Sequence, residues 1–150
     1  MPSQHLATAA SAGAATLPAA PGARYAFIHA EWHADIVLRA RDGFITEMAR
    51  HGVGPDQIDV LTVPGAFEIP LDARRLAQAR AHAAIVACAL AVDGGIYRHE
   101  FVADAVLAAL MRVQLDTGVP VFTAVLTPKS FHDHAEHQRF FCRALRVQGR

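Results

Sequence analysis

At 150 residues the chain suits a single domain, large enough to bury a core without disulfides or a structural metal. Its 14 Lys+Arg balance 14 Asp+Glu, which excludes a surface built to grip a nucleic-acid backbone or an anionic membrane; the expected ligand is small. Apolar residues make up 53% of the chain and charged residues 19%, rich for a monomer of this size, so some apolar surface is expected to lie between subunits.

In chain order, residues 1–22, "MPSQHLATAASAGAATLPAAPG", combine Ala, Ser, Thr and Pro with neither a basic start nor a continuous apolar segment. They read as a flexible tail rather than a secretory signal and leave 23–150 as one domain. "RYAFIHA" then reads as a first strand, and "ADIVLRARDGFITEMARHG" as an amphipathic helix with Asp35 as candidate N-cap and Gly52 as the stop. "IDVLTVP" is a second strand. "GAFEIPLDARRLAQAR" opens a second helix, where Pro70 is tolerable only in or near the first turn. "AAIVACALAV" is short, β-prone and apolar on both faces, the pattern of a buried parallel strand. A helix follows from about His99 to Thr117 and closes at Gly118 and Pro120; "VPVFTAVLT" is a fourth strand and "SFHDHAEHQRFFCRALRV" a final helix.

Strands separated by helices of this length require crossover connections, so the fold expected is a three-layer α/β/α sandwich around a four-stranded parallel sheet. The two cysteines, Cys88 in the third strand and Cys142 in the final helix, are expected as reduced thiols, consistent with a cytoplasmic protein. No apolar run approaches the roughly 20 residues of a membrane span.

Ligands of such folds sit beyond the carboxyl ends of the strands, so the exit segments "EWHAD", "PGAFEIP", "VDGGIYRHE" and "TPKSFHDH" are the candidate site. In "VDGGIYRHE", Gly94 and Gly95 let the backbone approach a ligand, and the helix end behind them favours a phosphate or carboxylate. His99 is placed to move protons near neutral pH, or is a solvated histidine at a plain turn; Arg98 holds an anion or points to water. Glu68 either complements the dipole of its helix or accepts hydrogen bonds from the hydroxyls of a polyol. Trp32, the sole tryptophan, fills the core or stacks on a flat heterocycle. His132, His134 and His137 suggest a metal site, but only His134 and His137 share a helical face and no HExxH or paired-cysteine signature accompanies them; no metal is expected. GxSxG, Walker A and GxGxxG are absent, which removes the signatures of serine hydrolases, P-loop NTPases and dinucleotide dehydrogenases.

Together, "VPGAFEIP", "DGGIYRHEFVADAV" and "VPVFTAVLT" resemble the 6,7-dimethyl-8-ribityllumazine synthase family, from about Arg24 to the end. "VDGGIYRHEFV" and "TPKSFHDHAEHQRFF" are similar to its type II branch. The resemblance implies a flavodoxin-like fold assembling as pentamers, paired into decamers, with active sites between adjacent subunits. It implies condensation of 5-amino-6-(D-ribitylamino)uracil with 3,4-dihydroxy-2-butanone 4-phosphate, with release of phosphate and water and without a cofactor. Carried onto this chain, Trp32 stacks on the pyrimidinedione, while Ala66, Phe67, Val92, Asp93 and Thr123 contact the ring or ribityl chain. Glu68 binds ribityl hydroxyls. Gly95, Ile96 and Tyr97 bind phosphate, and His99 transfers protons. Tyr97 stands where the commoner branch has threonine. The phosphate-clamping arginine of the last helix falls by count on His137, with Arg139 two residues on. The alternative is a riboflavin- or lumazine-binding protein of the same fold with little turnover.

Overall fold

The computed structural model describes residues 21–92 and 98–128. Within them the strands are β1 (Tyr25–Ala30), β2 (Ile58–Val63), β3 (Ala84–Leu90) and β4 (Val121–Leu126), and the helices α1 (Ala34–Arg50), α2 (Ile69–Ala79) and α3 (His99–Thr117). The strands form one parallel sheet in the order β2-β1-β3-β4. From β1 the chain steps to one side for β2, then crosses back past β1 to β3 and on to β4. Right-handed crossovers under that path put α1 on one face and α2 with α3 on the other.

Two apolar clusters confirm the layers. Ala26, Ile28, Ile85 and Ala87 meet Ile69, Ala73, Ala77, Val106, Leu110 and Val113 of α2 and α3. On the opposite face Phe27 and Cys88 meet Val37, with Phe44, Ile45 and Met48 of α1 alongside; the Phe27 and Phe44 rings stand 5.2 Å apart between centroids. The small residues of β1 and β3, alanine at alternate positions, let α2 and α3 lie close to the sheet.

Helix ends follow the sequence reading in part. Gly52 does end α1, at φ 81°, with its N–H donating to the Ala49 carbonyl, and Gly118 ends α3 at φ 71°. Asp35 is not the N-cap of α1. His33 is, in the left-handed region at φ 56°, where its carbonyl accepts from the N–H groups of Ile36 and Val37, and Asp35 falls in the first turn. Expected as one helix from Gly65, the next segment is instead a 3-10 turn, Ala66–Glu68, running into α2, with Pro70 in the first turn where its missing N–H breaks no bond. The expected final helix and residues 1–20 of the expected tail lie outside the described residues.

At the end of the sheet opposite the strand exits, the Arg24 guanidinium pairs with the Asp59 carboxylate, which also receives His82 Nε2 at 2.7 Å, and Arg24 donates to the Asp56 carbonyl at 3.1 Å. This cluster ties the start of β1 to β2 and to the α2–β3 connection.

Candidate active site

A sheet ordered β2-β1-β3-β4 reverses its winding between β1 and β3, and the crevice of such a fold opens at that reversal, beyond the strand ends. The ends are flush, since Ala30 pairs with Val63, His29 with Cys88 and Leu90 with Leu126. Trp32 leaves β1 and His99 enters α3 after β3, so the two flank the reversal in the chain path. Trp32 is 71% exposed, so of its two sequence readings, core filling is overturned; a tryptophan this exposed is available to stack on a ligand or a partner.

The exit of β2 reaches toward the same place. After Pro64 and an extended Gly65 (φ −149°), the Ala66–Glu68 turn packs against β3 and α3, which carries it across the end of β1. Ile69, fully buried, anchors the turn, Ala66 packs on the α2/α3 core, and Phe67 stays 61% exposed. Glu68 occupies the N-cap of α2, yet its carboxylate makes no capping hydrogen bond to that helix. Instead it folds back over Gly65, where a Cβ would stand 3.1 Å from Oε2, tighter than ordinary contact. The absent side chain of Gly65 therefore makes room for the carboxylate.

On the β3 side, the Ala91 N–H donates to the Leu126 carbonyl at 2.9 Å and holds the chain to β4 as far as the half-buried Val92. Arg98 caps α3 with extended backbone, its guanidinium 5.9 Å from the centroid of Phe101, and His99 is the first helical residue, half-buried. Asp93, Gly95, Ile96 and Tyr97 lie outside the described residues, as do His137 and Arg139. Thr123 is apart from the other site residues. It pairs with Ala87 in the middle of β4, exposed, three residues before the strand ends and so roughly 10 Å back along the strand.

Two polar features escaped the sequence reading. His29 is the one buried polar residue among those described, 4% exposed. The Arg24–Asp59–His82 cluster is the other, and neither carries a local motif. The signal available for His29 was a lone histidine inside an apolar strand. Cys88, by contrast, is chemically quiet: burial pushes its thiol up to about 12, so it is no nucleophile at neutral pH. Among the described residues no group of three or more His, Cys, Asp or Glu is arranged to hold a metal, and the His132, His134 and His137 trio lies outside them. A groove of about 620 Å³ between α2 and α3, lined by Leu71, Arg74, Ala105, Ala109 and Arg112 among others, runs over the helical face rather than the strand exits. No helix among the described residues is long and apolar enough to cross a membrane.

Comparison with known proteins converges on one family. The model of the 6,7-dimethyl-8-ribityllumazine synthase family matches residues 22–143. A protein of that name from Rhodococcus erythropolis is 62% identical over 120 residues, 80% of this chain and 77% of the relative. Proteins named 6,7-dimethyl-8-ribityllumazine synthase 2 are 59% identical in Pseudomonas syringae pv. tomato, over 81% of this chain and 71% of the relative, and 56% identical in Bradyrhizobium diazoefficiens, over 84% and 75%. The matched span takes in all four strands and all four exit segments, and on that ground the chain belongs to the 6,7-dimethyl-8-ribityllumazine synthase family.

Proposed function

We infer that the chain condenses 5-amino-6-(D-ribitylamino)uracil with 3,4-dihydroxy-2-butanone 4-phosphate to form 6,7-dimethyl-8-ribityllumazine in riboflavin biosynthesis. The observation that carries this is identity of 56–62% over most of the chain to proteins bearing that name. The exposed Trp32, the Gly65–Glu68 turn and His99 at the entry to α3 support it as a set suited to a flat ring, a polyol and a proton transfer.

The chemistry asks for four things. The ring amine attacks the ketone and water leaves to give an imine; the proton on the neighbouring hydroxyl-bearing carbon is removed as phosphate departs, leaving an enol; the enol tautomerises to a new carbonyl and a methyl group; the ribityl-bearing nitrogen then closes on that carbonyl with loss of a second water. Trp32 stacks on the pyrimidinedione, with Ala66, Phe67, Val92 and Asp93 along its edge and the ribityl chain. Glu68 accepts hydrogen bonds from ribityl hydroxyls. Backbone N–H groups of Gly95 and Ile96 hold the phosphate, with Tyr97 and one of His137 and Arg139 beside it. His99 takes and returns the protons. None of these steps is a redox step, and none requires a metal. Holding both substrates in register supplies much of the acceleration, up to about 7–11 kcal/mol, and proton transfer by His99 adds about 10²–10⁴-fold.

The chain acts as a homo-oligomer in this reading, a decamer of two pentamers in the cytoplasm, with sites completed by an adjacent subunit. Phe101, Met111 and Leu115 leave large apolar side chains on the outer face of α3, and Leu71 does the same on α2, the kind of surface a neighbouring subunit covers. Thr123, exposed and set back from its own exits, serves a neighbour's site. Mixing both substrates with the protein and following lumazine absorbance with phosphate release tests the function. Product at equal stoichiometry with phosphate is expected; tight flavin binding without product would replace the enzyme with a binding protein.

A further inference from the structure

His29 sits in a central strand where an apolar residue would cost nothing to bury, so its polarity calls for a use. Both ring nitrogens have one. Nδ1 lies 3.3 Å from the carbonyl oxygen of Ala30, the last residue of β1, and Nε2 lies 3.1 Å from Oγ1 of Thr62 on β2. A carbonyl only accepts, so Nδ1 carries the proton, and Nε2 accepts from the Thr62 hydroxyl. The Ala30 carbonyl and the Glu31 N–H belong to one planar peptide unit, and that N–H donates to the Val63 carbonyl at 2.9 Å. The unit is therefore pinned at both polar ends, the oxygen by His29 and the N–H by β2. The residue after it is Trp32.

We propose that His29 is a positioning residue for Trp32: by fixing the Ala30–Glu31 peptide plane it sets the direction in which the chain leaves β1, and so the place of the indole at the sheet's winding reversal. The aim of the ring at the pyrimidinedione rests on the function proposed above; the pinning of the peptide does not. His29 touches no substrate. It acts through the backbone, one peptide upstream of the aromatic platform.

The test uses the fact that Trp32 is the only tryptophan, so intrinsic fluorescence of the ligand-free protein reports on this one loop. His29→Leu removes both hydrogen bonds at similar volume, and His29→Asn keeps an amide N–H where Nδ1 stands. A buried polar pair replaced by apolar bulk can be nearly neutral for stability, so the Leu variant is expected to melt close to the parent. Its Trp32 anisotropy should fall and its acrylamide quenching rise. KM for the pyrimidinedione should rise about 3- to 10-fold, the worth of one ordinary hydrogen bond, with kcat within about twofold. His29→Asn should recover most of both effects. Thr62→Val, at an exposed position, should move the same readouts less far and keeps the test alive if the Leu variant does not fold. A parent protein that makes no lumazine overturns the proposed function, while the fluorescence comparison still decides the pinning. Unchanged Trp32 anisotropy in both His29→Leu and Thr62→Val overturns the positioning role. So does a fall in melting temperature that Asn does not rescue while KM stays fixed, because His29 would then be structural only.

Discussion

Glu68→Gln separates two jobs that one carboxylate could hold at the start of α2. As a complement to the helix dipole, an exposed carboxylate there is worth about 0.3–1 kcal/mol. At about 2–4 °C per kcal/mol for a chain of this length, its loss lowers the melting temperature by at most about 4 °C, and by less in high salt. As a ribityl acceptor it is worth more. Its oxygens make no capping bond to α2, and it folds over Gly65 rather than along the helix. Hydrogen bonds to a charged acceptor contribute about 1.5–3 kcal/mol, which predicts a KM for the pyrimidinedione raised about 10- to 150-fold. Gln keeps the shape and one carbonyl acceptor, so the lower part of that range is expected, with kcat nearly unchanged because the ribityl chain is remote from the bonds that break. The assay is initial rate by lumazine absorbance at saturating butanone phosphate, beside thermal melts in low and high salt. An unaltered KM together with a melting deficit that salt erases would show that the carboxylate serves the helix alone.

Replacing His99 with Ala is expected to slow turnover by about 10²–10⁴-fold and leave it measurable, because substrate positioning survives; an enzyme that binds both substrates yet yields no product would contradict this. The Asp59 carboxyl is held below the usual carboxylate range, first by the Arg24 hydrogen bond and then by His82. A lowered folded-state value means stabilisation that is present at neutral pH and lost as pH falls through that value. Asp59→Asn should therefore melt lower than the parent at pH 7, with the gap closing below about pH 4; a gap that does not change with pH would remove the cluster from the stability account. Cys88, with its thiol pushed up to about 12 by burial, should react with a thiol reagent at pH 8 only at the rate of unfolding. Mass mapping after a short pulse checks this, and prompt labelling of Cys88 in the folded protein would count against it.

Strand and helix positions were legible because each element carries its own period. β3, apolar on both faces, and α3, bounded by His99 and Gly118, fall within a residue or two of where pattern alone puts them. What pattern does not encode is the geometry of first turns. Nothing in "EWHAD" distinguishes Asp35 as a cap from Asp35 one turn inside, because the choice was made by the need for a left-handed residue at His33 to bring the chain back over the sheet. Likewise "GAFEIP" holds helix-compatible residues throughout, yet tertiary contact of the turn with β3 and α3 tightens 66–68 into a 3-10 turn. The exit loops were identified as the candidate site from topology and the residues in them, whereas His29–Thr62 and Asp59–His82 join residues 33 and 23 apart in sequence, and a pairing of that range leaves no local trace.

The apolar excess read from composition becomes more specific once it has an address. On α3 the exposed Phe101, Met111 and Leu115 span 15 residues, roughly 21 Å of helix from first to last, and begin two residues from His99. α3 buries Ala103, Val106, Leu110 and Val113 on one side and, beside the exposed Asp104, Arg112 and Asp116, sets these large apolar residues on the other, a surface that a partner covers more readily than water does. Whatever covers the outer side must come up against the entry to α3, where the imidazole stands. In the proposed assembly, then, burying α3 and closing the site are one event, and dissociating the oligomer should cost activity before it costs the fold of the sheet.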